Sequence, residues 1–166
     1  MSKTVIILGS ANSKGKTFEL AKLLKTKLEC TIIDLNDYKI NHFSYDIKFQ
    51  NDDFIELIDS ILNDYDHLIF ATPVYWYSMS SKMKVFFDRF TDLLIEYKDI
   101  GRKFRGKRMS VCTTSSGDHS DCVFFTPFQK TAEYLGITFV QGNHFVNLEN
   151  EKEGILKFTN SVIETR

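Results

Sequence analysis

The stretch whose reading decides the fold is Pro73-Val-Tyr-Trp-Tyr-Ser-Met-Ser-Ser-Lys-Met-Lys-Val-Phe-Phe-Asp-Arg89. The apolar run Leu68-Ile-Phe-Ala71 precedes it and has the length of a fully buried strand. Met83, Phe86, Phe87, Phe90 and Leu94 follow at helical spacing from near Ser80. A strand therefore empties into an aromatic loop that leads into a helix. In an open α/β sheet, ligands bind beyond the carboxyl ends of the strands, so Pro73, Val74, Tyr75, Trp76 and Tyr77 stand where a flat heteroaromatic ligand would lie. Lys84 and Asp88, four residues apart on the helix, read as a structural ion pair, and Arg89 as support.

Outward from this stretch, the same alternation repeats. Residues 4–8 form a short β-branched run ending at Gly9, and residues 17–28 place Phe18, Ala21, Leu24 and Leu28 on one helical stripe. Residues 31–35 read as a second strand and 36–51 as a long surface connection. A helix is expected over 52–63, a third strand over 67–71, a fourth over 109–113 after the basic segment 101–108, and a helix over 122–135 with Pro127 in its first turn and Gly136 as its stop. A fifth strand over 137–146 and a helix over 150–163 complete the chain. Strands alternating with helices predict right-handed crossovers and a parallel sheet covered on both faces, one domain over residues 1–166. Five such units fit the flavodoxin-like order 2-1-3-4-5, in which the loops after the first and third strands open at the switch point.

The loop after the first strand is Gly9-Ser-Ala-Asn-Ser-Lys-Gly-Lys-Thr17. Its small and hydroxyl residues let backbone N–H groups converge on an anion at a helix N-terminus, and Lys14 and Lys16 supply positive charge. It is not a P-loop, because five residues rather than four separate Gly9 from Gly15, and no strand ends in an acid placed to hold Mg²⁺. Nor is it a dinucleotide fingerprint, since Ala11 and Lys14 occupy the second and third glycine positions.

Thr72-Pro-Val-Tyr-Trp76 with Lys84, Asp88 and Arg89 in the next helix, together with the loop at 9–17, resembles the flavodoxin-like NAD(P)H-dependent FMN reductases and quinone reductases over nearly the whole chain. The resemblance implies an FMN site made of Ser10, Asn12, Ser13, Lys14, Gly15, Lys16 and Thr17 at the phosphate, and Pro73 to Tyr77 at the ring. Thr114, Ser115, Ser116 and Gly117 would lie at its pyrimidine side, stabilising negative charge on reduction. It further implies NAD(P)H as co-substrate, a quinone, flavin, azo or nitro compound as acceptor, and a homodimer with the flavin near the interface. The family commonly has a basic residue where Asn12 stands, a role open to Lys14 or Lys16. Two other readings of the same fold stay open: a flavodoxin-type electron carrier, and a module without cofactor that binds a partner. Carriers are usually strongly acidic, whereas this chain has a formal net charge of -1.

That near-neutral balance gives no electrostatic case for nucleic acid or an anionic membrane surface. No apolar run approaches the roughly 20 residues of a membrane span, and a cytoplasmic protein is expected. Cys30, Cys112 and Cys122 are odd in number and lack metal-type spacing, so neither a disulfide nor a metal site is expected. Cys122 reads as a structural thiol. His42, His67 and His144 read as ordinary polar residues, and His119 alone falls in a site loop, where Asp118 is given no role.

Overall fold

A computed structural model describes residues 3–47, 49–117 and 122–165, and of Cys122 only the backbone. Asp118, His119 and the Cys122 side chain therefore lie outside the described residues.

Five parallel strands pair in the order β2-β1-β3-β4-β5. They are β1 (Thr4–Leu8), β2 (Thr31–Asp34), β3 (His67–Pro73), β4 (Arg108–Thr114) and β5 (Thr138–Phe145). The helices are α1 (Lys16–Leu28), α2 (Phe54–Asp64), α3 (Ser81–Asp88), α4 (Asp92–Ile95), α5 (Lys98–Arg102), α6 (Thr126–Leu135) and α7 (Lys152–Glu164). Every residue of β1 and β3 is buried, which explains their continuous apolar reading: a central parallel strand is covered on both faces. Alternate residues feed two cores. Ile6, Leu8, Ile69 and Ala71 pack with Leu20, Leu24, Phe158 and Val162 of α1 and α7. Val5, Ile7, Leu68 and Phe70 pack with Ile58 and Ile61 of α2, with Phe86 and Phe87 of α3, and with Phe128 of α6. Each fully buried side chain of this kind contributes about 1.5–3 kcal/mol, so both layers are anchored by the sheet.

The structure departs from the sequence reading where polar capping overrides apolar spacing. β2 ends at Asp34 rather than Leu35, because the Asp34 carboxylate accepts from Asn36 N at 2.9 Å and winds residues 35–37 into a 3-10 turn. The single helix expected from Ser80 through Leu94 is broken: α3 stops at Asp88, a 3-10 turn spans Arg89–Thr91, and α4 follows. The tighter turn lies where Arg89 swings inward. Residues 98–102 form a short helix whose last two residues enter the basic segment at 101–108, and residues 122–125 are 3-10, so α6 starts at Thr126 with Pro127 in its first turn.

Arg89 is fully buried. Its guanidinium pairs with Asp52, donates to Asp92 Oδ2 at 2.6 Å and to Asn41 O at 3.1 Å, and lies 4.7 Å over the Phe54 ring. Asp52 also accepts from Asn41 N at 2.8 Å, and Asp53 from Lys39 N at 2.6 Å. The long connection after β2 is thus stapled to the start of α2 and to α3. Among the described residues no helix is long and apolar enough to cross a membrane.

Candidate functional site

The sequence-predicted residues converge at the carboxyl ends of β1, β3 and β4. Gly9 N donates to Ala71 O at 2.9 Å, and Gly9 O accepts from Ser80 Oγ at 2.6 Å. A Cβ on Gly9 would stand 3.1 Å from the Met83 Cα, so glycine lets α3 close against the end of β1. Ser80 is the hub of the crevice. Its hydroxyl also caps α3 by accepting from Met83 N at 3.2 Å, while its N–H donates to Thr72 Oγ1 at 3.0 Å.

Beyond Gly9 the chain folds on itself. Asn12 N donates to Ser10 Oγ at 3.2 Å, Lys14 N to Asn12 Oδ1 at 2.9 Å, and Gly15 N to Asn12 O at 3.3 Å. Asn12 thus shapes the loop, its side-chain oxygen engaged within it. Helix α1 begins after Gly15, which offers no side-chain cap, so the N–H groups of Lys16, Thr17 and Phe18 have no intrahelical acceptor. Ser10 is only 3% exposed, and Lys14 and Lys16 stand in solvent around the opening. The loop carries no acidic residue. Open N–H groups, a helix dipole and two cations fit a phosphate monoester.

Thr17 Oγ1 lies 2.7 Å from Thr114 Oγ1 in a buried contact that ties the start of α1 to the end of β4. Whichever hydroxyl accepts keeps its own hydrogen for another acceptor. The sequence reading sets the Thr17 hydroxyl on a phosphate directly; in the structure it is shared with Thr114.

Residues 74–78 form a two-residue hairpin. Val74 N donates to Thr114 O at 2.9 Å, and Tyr75 and Ser78 exchange backbone hydrogen bonds of 2.9 and 3.1 Å. Trp76 (φ 49°) and Tyr77 (φ 63°) fill its two central positions in the left-handed region, the type I′ geometry that favours Asn-Gly. Two bulky aromatics there are strained by about 1–3 kcal/mol each. Trp76 is 95% exposed and Tyr77 73%. A cleft of about 410 Å³ is lined by Val74, Trp76, Tyr77, Ser115 and Ser116, within the range of small-molecule sites and walled by aromatic and hydroxyl groups as a tricyclic ring requires. Ser116 also lines a larger cleft of about 670 Å³ bordered by Lys14, Gly15, Lys16 and Asn147.

Two residues that the sequence reading passed over belong to this crevice. His144 Nε2 lies 2.7 Å from Ser115 Oγ, which itself donates to Gly117 O at 2.5 Å. Because that carbonyl takes the hydroxyl hydrogen, His144 donates from Nε2. The pairing of β5 with β4, Thr113 opposite His144, brings it there. Asn36 donates from Nδ2 to Ser10 O at 2.7 Å and Ser13 Oγ at 3.0 Å. No local motif marked either residue; strand order alone predicts that the end of β2 lies beside the loop after β1 and the end of β5 beside the loop after β4. His67 is a core histidine bonded to Ser110 Oγ at 2.8 Å, and Lys84 and Asp88 form their expected pair at 2.5 Å on the exposed side of α3.

The strand order and the crevice at its switch point define a flavodoxin-like α/β protein. Residues 2–149 match the NADPH-dependent FMN reductase family. YwqN of Bacillus subtilis (strain 168), which carries the name of an NAD(P)H-dependent FMN-containing oxidoreductase, is 34% identical over 148 residues, covering 82% of this chain and 81% of its own. Two solved structures share the fold. NADH:FMN oxidoreductase (EMOB), in its apo form, has TM-score 0.71 at 19% identity over 99% of this chain and 88% of its own. An FMN-dependent NADH-azoreductase from Bacillus anthracis str. Ames Ancestor, in complex with FMN, has TM-score 0.69 at 15% identity over 97% and 99%. The chain belongs to the NADPH-dependent FMN reductase family, FMN-containing oxidoreductases that take electrons from NAD(P)H.

Proposed function

We propose that FMN lies with its phosphate on residues 10–17 and its ring between residues 73–77 and 114–117, and that a small aromatic acceptor, a quinone, free flavin, azo or nitro compound, takes two electrons in the same crevice. The observation that carries this reading is the junction of an open, lysine-flanked helix N-terminus with an aromatic-walled cleft of about 410 Å³, coupled through Thr17 and Thr114. Bound FMN supplies the redox chemistry, accepting hydride from the nicotinamide and passing electron pairs on. This chain's residues bind and orient. The N–H groups of Lys16, Thr17 and Phe18 meet the phosphate, the loop at 114–117 faces the electron-rich edge of the ring, and Ser115, held by His144, fixes that loop. No acid or base side chain is needed for hydride transfer itself.

The exposed Tyr75, Trp76 and Tyr77 support a homodimer that covers them, and a 19.3 kDa species alone in light scattering at micromolar protein would refute it. Cys112 is a free, buried thiol, and the odd number of cysteines without metal-type spacing supports a reducing cytoplasmic setting. Burial pushes the Cys112 thiol up to about 12, so it is inert. The test of the reaction is anaerobic addition of NADPH or NADH to the flavin-loaded protein. Bleaching of the visible absorbance within seconds is expected, and failure of both nicotinamides would favour the electron-carrier alternative.

A further inference from the structure

We infer that Asn36 is a positioning residue that holds the phosphate loop in its anion-binding form and so sets the preference for a phosphorylated flavin. The inference rests on the reading of residues 10–17 as the phosphate site. Asn36 is half-buried in the turn after β2 and its side-chain amide reaches three acceptors: Ser10 O at 2.7 Å, Ser13 Oγ at 3.0 Å and Asp34 Oδ1 at 3.0 Å. Two of these, a carbonyl and a carboxylate, can only accept, so the NH₂ end of the amide is the end that faces them, its two hydrogens shared among the three acceptors.

Three consequences follow for an anion in the loop. The Ser10 carbonyl, which would repel a phosphate if turned toward it, is drawn to Asn36 instead. The Ser13 hydroxyl accepts from Asn36 and so keeps its hydrogen to donate onward. The Asp34 carboxylate ends β2 in register with Leu8, one residue before the loop, and receives two hydrogen bonds from Asn36, one from N and one from Nδ2. That carboxylate is thereby tethered to its own turn, with a neutral amide between it and the loop. One side chain thus orients a carbonyl, a hydroxyl and a charge, and none of these three acts on a ligand without a phosphate.

The test uses the full-length protein stripped of flavin and measures dissociation constants for FMN and riboflavin by flavin fluorescence, with the melting temperature of the apo-protein alongside. N36L is expected to weaken FMN about tenfold while riboflavin affinity and apo-protein melting hold. N36D, which keeps the shape but sets a carboxylate against Ser10 O and Asp34, should weaken FMN further, by an amount that shrinks with added salt. FMN affinity unmoved in both variants would overturn the inference. So would FMN and riboflavin weakening together with a fall in melting temperature, the mark of a merely structural turn residue. If N36L does not fold, N36D decides alone. Equal affinity of the unsubstituted protein for FMN and riboflavin would instead remove the phosphate-site reading itself.

Discussion

The loop at 9–17 and the turn at 74–78 leave neighbouring strands of one sheet and are built in opposite ways. The first is knitted by short-range hydrogen bonds and by Asn36, Ser80 and Thr114 from three other segments. The second holds Trp76 and Tyr77 in left-handed backbone and sets both in solvent. A preformed anion cradle gives affinity, because its donors are ordered before the ligand arrives. A strained, exposed turn lowers the stability of the free protein and earns its place only through what covers it, a ring or a partner. The proposed function thus puts affinity and acceptor contact on different loops, and that division can be attacked.

The largest effect should strike both loops at once. Arg89→Leu leaves Asp52 and Asp92 without their guanidinium under α3, the helix whose cap Ser80 pins β1 and β3 together. A loss of about 3–5 kcal/mol is expected in urea denaturation. An unmoved midpoint would show that the loops do not depend on this buried frame. Acid reads the same contact. Burial alone would raise the Asp52 pKa, but the Arg89 hydrogen bond and the N–H groups of Asn41 and Phe54 hold it below its ordinary 3.8. A depressed carboxylate contributes fully above its unfolded value and loses that contribution as pH falls through the folded one. The wild type should therefore lose stability from about pH 3.8 downward, and D52N, less stable at neutral pH, should show a shallower acid limb in the same denaturation series.

How much of this was legible beforehand differs between the two loops in the same way. Strand order, the crossovers and the position of both loops followed from buried strand runs and helical spacing, signals that many residues carry together. Asn36 and His144 were not legible, because a lone Asn after a strand and a lone His on an edge strand have no period, and only the pairing of β2 with β1 and β5 with β4 gives them neighbours. Arg89 read as support without its depth: charge on a helix normally means solvent, and its partner Asp52 is 37 residues away in sequence. The strain at Trp76 and Tyr77 was hidden for a simpler reason, since aromatic residues do not announce a type I′ turn.

Next in size are the changes confined to the phosphate loop. Ser10→Ala and Thr17→Ala should each weaken FMN by about 1–2 kcal/mol, with riboflavin left alone in S10A and weakened in T17A, as measured by fluorescence titration. The two need not match. Ser10 Oγ accepts from Asn12 N, so its loss loosens the loop locally, whereas loss of the Thr17 hydroxyl also strands Thr114 and should move the 114–117 loop. A riboflavin affinity that falls only in T17A would place the coupling between phosphate and ring at that hydroxyl pair. One that falls equally in both would erase the division between the loops.

The smallest expected effect is a gain. Replacing Trp76 and Tyr77 together by Asn and Gly gives the hairpin the residues its backbone conformation favours, without touching the reciprocal bonds of Tyr75 and Ser78. Relief at two positions is opposed by whatever contacts the rings make, so a net stabilisation of the apo-protein by about 1 kcal/mol is expected, read as a higher urea midpoint. The same variant loses two walls of the cleft at 74–77 and 115–116. Turnover with an aromatic quinone should therefore fall several-fold, while FMN, held mainly at its phosphate, stays bound. Strain that evolution kept although Asn-Gly would remove it points to a use for the aromatics. If the double variant is more stable and reduces quinones as fast as the wild type, the turn has no such use and the contrast between the two loops is one of backbone geometry alone.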